Sequence, residues 1–111
     1  MKFYFLDEKI NSAQVAELIE FIHKYPEEPK TIYMRSEGGE VDCAILITKI
    51  LNQYKDSITL IAGEWLESCA VDVFHDFQGA KEFNELGTLI MIHRTAYTNS
   101  SLSKTRSIMD T

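Results

Sequence analysis

Hydrophobic residues recur along this chain with two spacings, one typical of amphipathic helices and one typical of buried strands. Two segments repeat apolar residues every three to four positions, which predicts helices over about 12–24 and 41–54. Asn11 or Ser12 is a suitable N-cap for the first helix, and Gln14 is placed to complete a capping box. Short apolar runs predict strands over 2–6, 31–35, 58–62 and 88–92.

Glycine residues predict where several of these elements end. We expect the second strand to stop at the segment Ser36-Glu37-Gly38-Gly39, and Gly63 to break the strand over 58–62. A third helix is predicted over 68–77, followed by Gly79 and a short strand over 81–84. The runs over 58–62 and 88–92 are almost purely apolar, which predicts strands that are buried on both faces.

The resulting order is β-α-β-α-β-α-β-β, which predicts an α/β fold with a mainly parallel sheet flanked by helices. Binding and catalytic sites of such sheets gather at the carboxyl ends of the strands. Three segments are predicted to lie there: residues 36–39, residues 63–68, and His93 with the residues after it. These are the segments in which to look for chemistry.

Composition and charge narrow the possible partners and compartments. The net charge of −6 disfavours nucleic acid, whose phosphates it would repel. No apolar run is long enough for a membrane span, and the apolar run near the N-terminus is too short for a signal peptide, so a cytoplasmic protein is expected. Residues 1–97 are expected to form the folded core, and 98–111 a surface or mobile tail.

Cysteine and carboxylate patterns give no sign of a metal or cofactor. Cys43 and Cys69 are too few for a disulfide framework and lack metal-ligand spacing, which favours two buried, reduced thiols. Asp72 and Asp76 lie four residues apart on the predicted third helix, a spacing that favours a solvated helix face. Neither a metal nor a cofactor is predicted.

Three features in the predicted strand-end segments are candidates for acyl-transfer chemistry. Ser68 is either the N-cap of the third helix or a nucleophile, and the helix start would supply N–H groups for an oxyanion. His93 is either a satisfied histidine at a strand end or a general base, and the other two histidines are poorly placed for that role. Gly38-Gly39 is either a turn or a site where a carbonyl oxygen can approach backbone N–H groups.

Taken together, these segments resemble the proteolytic subunit of the Clp protease. Ser36-Glu37-Gly38-Gly39 is similar to the Ser-Pro-Gly-Gly segment of that family, and Ser68 falls at the serine of its Gly-x-x-Ala-Ser-Met-Gly segment. Ile90-Met91-Ile92-His93-Arg94 is similar to its Val-Met-Ile-His-Gln-Pro segment. The resemblance covers nearly all of positions 2–97, and the separation of 25 residues between Ser68 and His93 equals that of the family.

The resemblance implies a crotonase-type fold of stacked ββα units and a serine endopeptidase. Ser68 would be the nucleophile, His93 the general base, and the N–H groups of Gly39 and Cys69 the oxyanion hole. The substrate would be an unfolded polypeptide delivered by an AAA+ ATPase unfoldase. It would lie as an added strand between the loops that contain Gly38, Arg94 and Thr95.

Self-association into a ring-like homo-oligomer is also implied, and the apolar composition favours it. The chain has more large apolar side chains than so small a core can easily bury, among them Tyr4, Trp65, Leu66 and Phe74. The helical handle of the family lies beyond the last position of this chain, which favours single rings or smaller species over stacked double rings.

Departures from the family motifs keep two alternatives open. Glu37 replaces the proline, Cys69-Ala70 replaces Met-Gly, and Arg94-Thr95 replaces Gln-Pro. One extra residue between Gly63 and Ser68 predicts a bulge over 65–67. The third triad member of the family also lies beyond position 111, and it has no identified counterpart here. The alternatives are a catalytically weak or inactive structural subunit and, with less support, an enzyme that acts on an acyl-coenzyme A.

Overall fold

The computed structural model describes residues 2–92, which form five β-strands, three α-helices and a short 3-10 helix. The elements are β1 (Lys2–Ile10), α1 (Ser12–Lys24), β2 (Lys30–Gly39), α2 (Val41–Gln53), the 3-10 helix (Lys55–Ser57), β3 (Ile58–Glu67), α3 (Cys69–Asp76), β4 (Ala80–Phe83) and β5 (Leu89–Met91). This confirms the predicted order of strands and helices within the described residues.

The five strands form one sheet in which every pairing is parallel. β1, β2, β3 and β4 are neighbours in that order, and β5 also pairs with β3. β4 lies along residues 59–62 of β3, and β5 lies along residues 65–67. The carboxyl-terminal part of β3 therefore has β2 and β5 as partners, and it leads directly into α3.

All three helices pack on one face of the sheet. α1 contacts α2, α2 contacts α3, and each helix also contacts a strand, so the three form a single layer. Apolar strand residues that face this layer are buried, among them Leu6, Ile32 and Leu60. Phe3 and Phe5 lie on the other face and are more than half exposed, because no element within residues 2–92 covers them.

The N-cap of α1 is as the sequence predicts, but the Gln14 side chain donates to the Tyr4 hydroxyl at 2.9 Å and not to the N-cap backbone. The Asn11 side chain accepts a hydrogen bond from the Gln14 N–H at 3.0 Å, which satisfies one donor of the first helical turn. At the other end, the fully buried Lys30 amine donates to the Tyr25 carbonyl at 2.6 Å and the Glu28 carbonyl at 2.9 Å. Lys30 thereby holds the loop between α1 and β2 against the sheet.

Both predicted strand ends at glycine are wrong. β2 continues through Gly38 to Gly39, because β1 extends alongside it and pairs Ile10 with Gly39. β3 continues through Gly63 to Glu67, because β2 and β5 pair with its last residues. Neighbouring strands supply hydrogen-bond partners that outweigh the low strand propensity of glycine.

Gly63 marks a bulge instead of a strand end. Met34 of β2 pairs with Ala62, and Ser36 pairs with Leu66, so three residues of β3 lie opposite one residue of β2. The predicted bulge is therefore present, but it spans 63–65 and not 65–67.

The last strand is shorter than the predicted 88–92 and, contrary to the prediction, it is not buried. β5 has three residues, and the Leu89 side chain is 61% exposed. Only Ile90 packs against the core, since Leu89 and Met91 face away from the helical layer. A purely apolar run signals burial only where layers cover both faces of the sheet.

Within residues 2–92, no helix combines the length and apolar character that a membrane crossing requires.

Candidate functional site

Ser68 occupies a sharp turn between the last residue of β3 and the first residue of α3. Its backbone has φ 56° and ψ −132°, a combination that costs a non-glycine residue of order 1–3 kcal/mol. Although Ser68 is the N-cap residue by position, its side chain makes no capping hydrogen bond. The hydroxyl is thus not used for capping, and the strained turn is held by the surrounding structure.

β5 is the element that holds this turn on one side. The Ser68 N–H donates to the Met91 carbonyl at 2.9 Å, which extends the β3–β5 pairing by one residue. Met91 is the last residue of β5, two positions before His93. His93, Arg94 and Thr95 themselves lie outside the described residues.

Gly38 packs directly against Ser68 from the other side. A Cβ on Gly38 would lie 2.8 Å from the Ser68 Cβ, 2.8 Å from the Glu67 carbonyl oxygen and 3.3 Å from the Cys69 nitrogen. Gly38 also has φ 90°, which favours glycine. Of the sites predicted from sequence, the structure therefore brings Gly38, Ser68 and Cys69 together.

Gly39 is confined by the neighbouring edge strand. Its φ is 153°, and a Cβ there would overlap the Ile10 carbonyl oxygen. The Cys69 thiol lies 3.7 Å from the Gly39 carbonyl oxygen, to which it donates a weak hydrogen bond. The backbone of Gly39 is thus next to the first turn of α3.

The backbone of the first turn of α3 favours an anion beside Ser68, whereas the Asp72 carboxyl in the same turn opposes one. The first N–H groups of an α-helix have no acceptor within the helix, and that end carries a partial positive charge.

Burial raises the pKa of the Cys69 thiol, and burial likewise raises the pKa of the Cys43 thiol on α2. Both buried thiols stay protonated at neutral pH, so neither competes with a serine as nucleophile.

A groove beside this turn is lined by residues of both α2 and α3. It has a volume of about 220 Å³ and is lined mainly by apolar side chains, and Cys69 is one of the lining residues. Asp72 and Asp76 also line it and are half-buried, so they do not form the solvated helix face that the sequence predicts. Within residues 2–92, no cluster of three His, Cys, Asp or Glu side chains could hold a metal ion.

Sequence reasoning missed a charged cluster on the open face of the sheet, which is the face opposite the three helices. Arg35 makes a bidentate ion pair with Asp7, at 3.1 and 2.8 Å, and donates to Glu64 at 3.0 Å. Tyr33 donates to the other Glu64 oxygen, and the guanidinium lies 4.9 Å from the centre of the Trp65 ring. The cluster holds the bulge of β3 against β1 and β2. In the sequence, these residues alternate with the buried residues of their strands. Their contacts with one another can be inferred only when the register between the strands is known.

Ser36 lies in a segment that the sequence singles out, but neither it nor Asn84 is given a role by sequence reasoning. The buried Ser36 hydroxyl donates to the Glu8 carbonyl at 2.6 Å and accepts from the Gly38 N–H at 3.0 Å. The Asn84 amide donates to the Gly63 carbonyl at 2.7 Å and the Gly87 carbonyl at 2.6 Å, which ties the turn before β5 to the bulge of β3. A serine two residues before a glycine is a weak local signal for the first of these.

The arrangement defines a parallel α/β protein whose candidate site is a strained strand-to-helix turn. No protein-family model and no curated protein sequence matches the chain. Solved structures do match, and they have a common fold. The ClpP protease catalytic domain from Plasmodium falciparum is 21% identical with a TM-score of 0.70, and the match covers 97% of this chain and 62% of that one.

Two ClpP1 structures from Listeria monocytogenes match equally well, and both are 17% identical. The N165D mutant has a TM-score of 0.71, with 98% of this chain and 64% of that one covered. The other structure has a TM-score of 0.69, with 97% and 67% covered. The chain therefore has a ClpP-like fold and spans about two thirds of the length of these proteins. Identities this low establish the fold alone.

Proposed function

We propose that this chain is a ClpP-like serine peptidase in which Ser68 attacks the peptide carbonyl. The observation that carries the proposal is the turn at Ser68: a serine with positive φ, held by β5 and packed on Gly38, whose side chain caps no helix. Strain of this kind persists where surrounding structure enforces it, and it is concentrated at functional sites.

His93 is the proposed general base. Met91, two residues earlier, accepts a hydrogen bond from the Ser68 N–H. His93 thus follows in sequence directly after the segment that holds the Ser68 turn, which supports its choice as the base. Proximity to the nucleophile is the first requirement for a base.

The proposed reaction follows from these roles. The Ser68 Oγ forms a bond to the substrate carbonyl carbon while its proton passes to His93. The N–H groups of Gly39 and Cys69 hold the oxyanion of the tetrahedral intermediate. Collapse breaks the C–N bond, and His93 returns the proton to the leaving amine. Water, deprotonated by His93, then hydrolyses the acyl ester and releases Ser68.

The proposed substrate is an unfolded polypeptide that lies as an added strand between the Gly38 segment and the segment of Arg94 and Thr95. The same proposal includes delivery of the substrate by an AAA+ ATPase unfoldase, assembly into a ring-like homo-oligomer and a crotonase-type arrangement of the fold. The exposed Phe3, Phe5 and Leu89 side chains on the open sheet face support self-association.

A structural subunit without turnover is the second candidate, and the bulge of β3 favours it. Three residues of β3 lie opposite one residue of β2 shortly before Ser68, so a small change in this bulge would move the hydroxyl. A displacement of 1 Å at a reacting group can lower the rate by about 100-fold.

Labelling with a fluorophosphonate probe, located by mass spectrometry, separates the two candidates. The peptidase proposal expects phosphonylation at Ser68, none in Ser68→Ala, and a rate at least about 1,000-fold lower in His93→Ala. Ser57→Ala is the control, because Ser57 precedes β3 at the opposite end of that strand. Failure of the wild-type protein to react in any of its oligomeric states would contradict the peptidase proposal and favour the structural subunit.

A further inference from the structure

The Ser36 hydroxyl connects the edge of the sheet to the backbone beside Ser68. The Ser36 side chain is completely buried, with an exposed fraction of 0%. Its hydroxyl donates to the Glu8 carbonyl at 2.6 Å and accepts from the Gly38 N–H at 3.0 Å. One buried hydroxyl thus links β1 to the end of β2.

The link bridges an irregularity in the pairing of β1 with β2. Glu8 pairs with Ser36, whereas the next residue, Lys9, pairs with Gly38, so Glu37 is left out of the register. Glu8 has φ 68°, a strained value for a residue with a side chain. The Ser36 hydroxyl makes its two hydrogen bonds at this shift in register.

The hydrogen bond between Ser36 and Gly38 also determines which backbone N–H groups are available to bind a substrate. The Gly38 N–H is taken by the Ser36 hydroxyl, and the Glu40 N–H donates to the Ile10 carbonyl at 3.0 Å. Gly39 lies between these two anchored residues. Its peptide plane is therefore fixed from both sides.

We infer that Ser36 is a positioning residue for the oxyanion hole: its hydroxyl fixes the Gly38-Gly39 backbone so that the Gly39 N–H faces the oxygen that becomes charged when Ser68 attacks. This inference rests on the proposed function. One oxyanion-hole donor contributes about 100- to 1,000-fold to kcat, so partial misplacement of that donor is expected to cost about 10- to 100-fold.

The test compares Ser36→Ala with Ser57→Ala. Ser57 is a matched control because its hydroxyl also donates to a backbone carbonyl, that of Tyr54 at 3.2 Å, and accepts from an N–H group, the Lys30 amine at 3.0 Å. It lies at the amino end of β3, away from Ser68. Ser36→Cys retains a weak donor of similar size and keeps the test usable if the alanine variant folds poorly.

Two measurements are made on the full chain. The first is the affinity of a peptide boronic acid, which forms a tetrahedral adduct with a serine Oγ and so reports the oxyanion hole. The second is amide hydrogen exchange at Gly38 by NMR. We expect affinity to fall about 10- to 100-fold in Ser36→Ala and less in Ser36→Cys, exchange at Gly38 to quicken at least about 10-fold, and neither to change in Ser57→Ala.

The outcomes separate this inference from the proposed function. If the wild-type protein binds the boronic acid and Ser36→Ala binds it equally well, the positioning role is wrong and the peptidase proposal stands. Unchanged exchange at Gly38 in Ser36→Ala also overturns the positioning role. If the wild-type protein forms no adduct, the peptidase proposal fails and the oxyanion role of Ser36 fails with it.

Discussion

The α-carbon of Gly38 lies so close to Ser68 that a Cβ added to Gly38 would be 2.8 Å from the Ser68 Cβ. This contact joins the carboxyl ends of β2 and β3, and it is possible only because Gly38 has no side chain. The proposed nucleophile and the proposed oxyanion segment are therefore parts of one packed unit.

Gly38→Ala tests this contact. We expect it to lower the free energy of unfolding by about 2–4 kcal/mol, since the new methyl group adds overpacking to the strain of positive φ. Urea denaturation measures the change. Gly87→Ala is the control, because Gly87 also has positive φ (96°) but no neighbouring atom within 4 Å. That variant should lose only about 1 kcal/mol, and equal losses in the two variants would show that the contact is unimportant.

The ion pair between Asp7 and Arg35 predicts a specific dependence of stability on pH. The hydrogen bonds from Arg35 lower the pKa of Asp7, so its folded-state pKa lies below its unfolded-state pKa. The stability it contributes is present above the unfolded pKa, about 4, and is lost as pH falls through the folded pKa.

Asp7→Asn removes this titration. We expect a shallower loss of stability below about pH 4 and a decrease of under about 1 kcal/mol at pH 7, because the pair is partly exposed. Denaturation at a series of pH values measures both effects. The exposed Asp56→Asn is the matched control for the loss of one carboxylate. Parallel acid profiles for Asp7→Asn and the wild type would contradict the assignment.

Asn84 is expected to be a large contributor to the stability of the β5 region. Its side chain donates to the Gly63 and Gly87 carbonyls and accepts from the Leu86 N–H at 2.9 Å. Asn84→Ala removes all three bonds at once and should cost about 2–3 kcal/mol. The exposed neighbour Glu85→Ala should stay within about 0.5 kcal/mol of the wild type. Thermal denaturation compares them, and a similar Tm for both variants would show that Asn84 is dispensable.

Both cysteines are expected to react slowly with thiol reagents. Cys43 and Cys69 are buried, and burial raises the pKa of each thiol, which lowers the fraction of reactive thiolate. With an aromatic disulfide reagent at neutral pH, the folded chain should react on the order of 100-fold more slowly than the chain in urea. Rapid modification of Cys69 in the folded protein would show instead that an accessible thiol lies beside Ser68.

Local patterns in the sequence predicted the elements but misplaced several of their ends. The predicted helix over 41–54 is observed as Val41–Gln53, because apolar residues that recur at helical spacing in the sequence are the residues that the helix buries. The predicted end of β2 at Ser36 failed, since Ile10 on the neighbouring strand pairs with Gly39 and carries the strand onwards. Strand ends depend on partners that are remote in sequence.

The sequence by itself determined the order of strands and helices, the parallel sheet and the choice of Ser68, Gly38 and Gly39 as residues of interest. Hydrophobic period, capping residues and glycine positions are local properties, so they can be interpreted without the fold. Only the tertiary structure decided the positive φ of Ser68, the bond from Ser36 to Glu8 and the single helical layer. These features depend on strand register and bulges, which bring together residues that no local pattern connects.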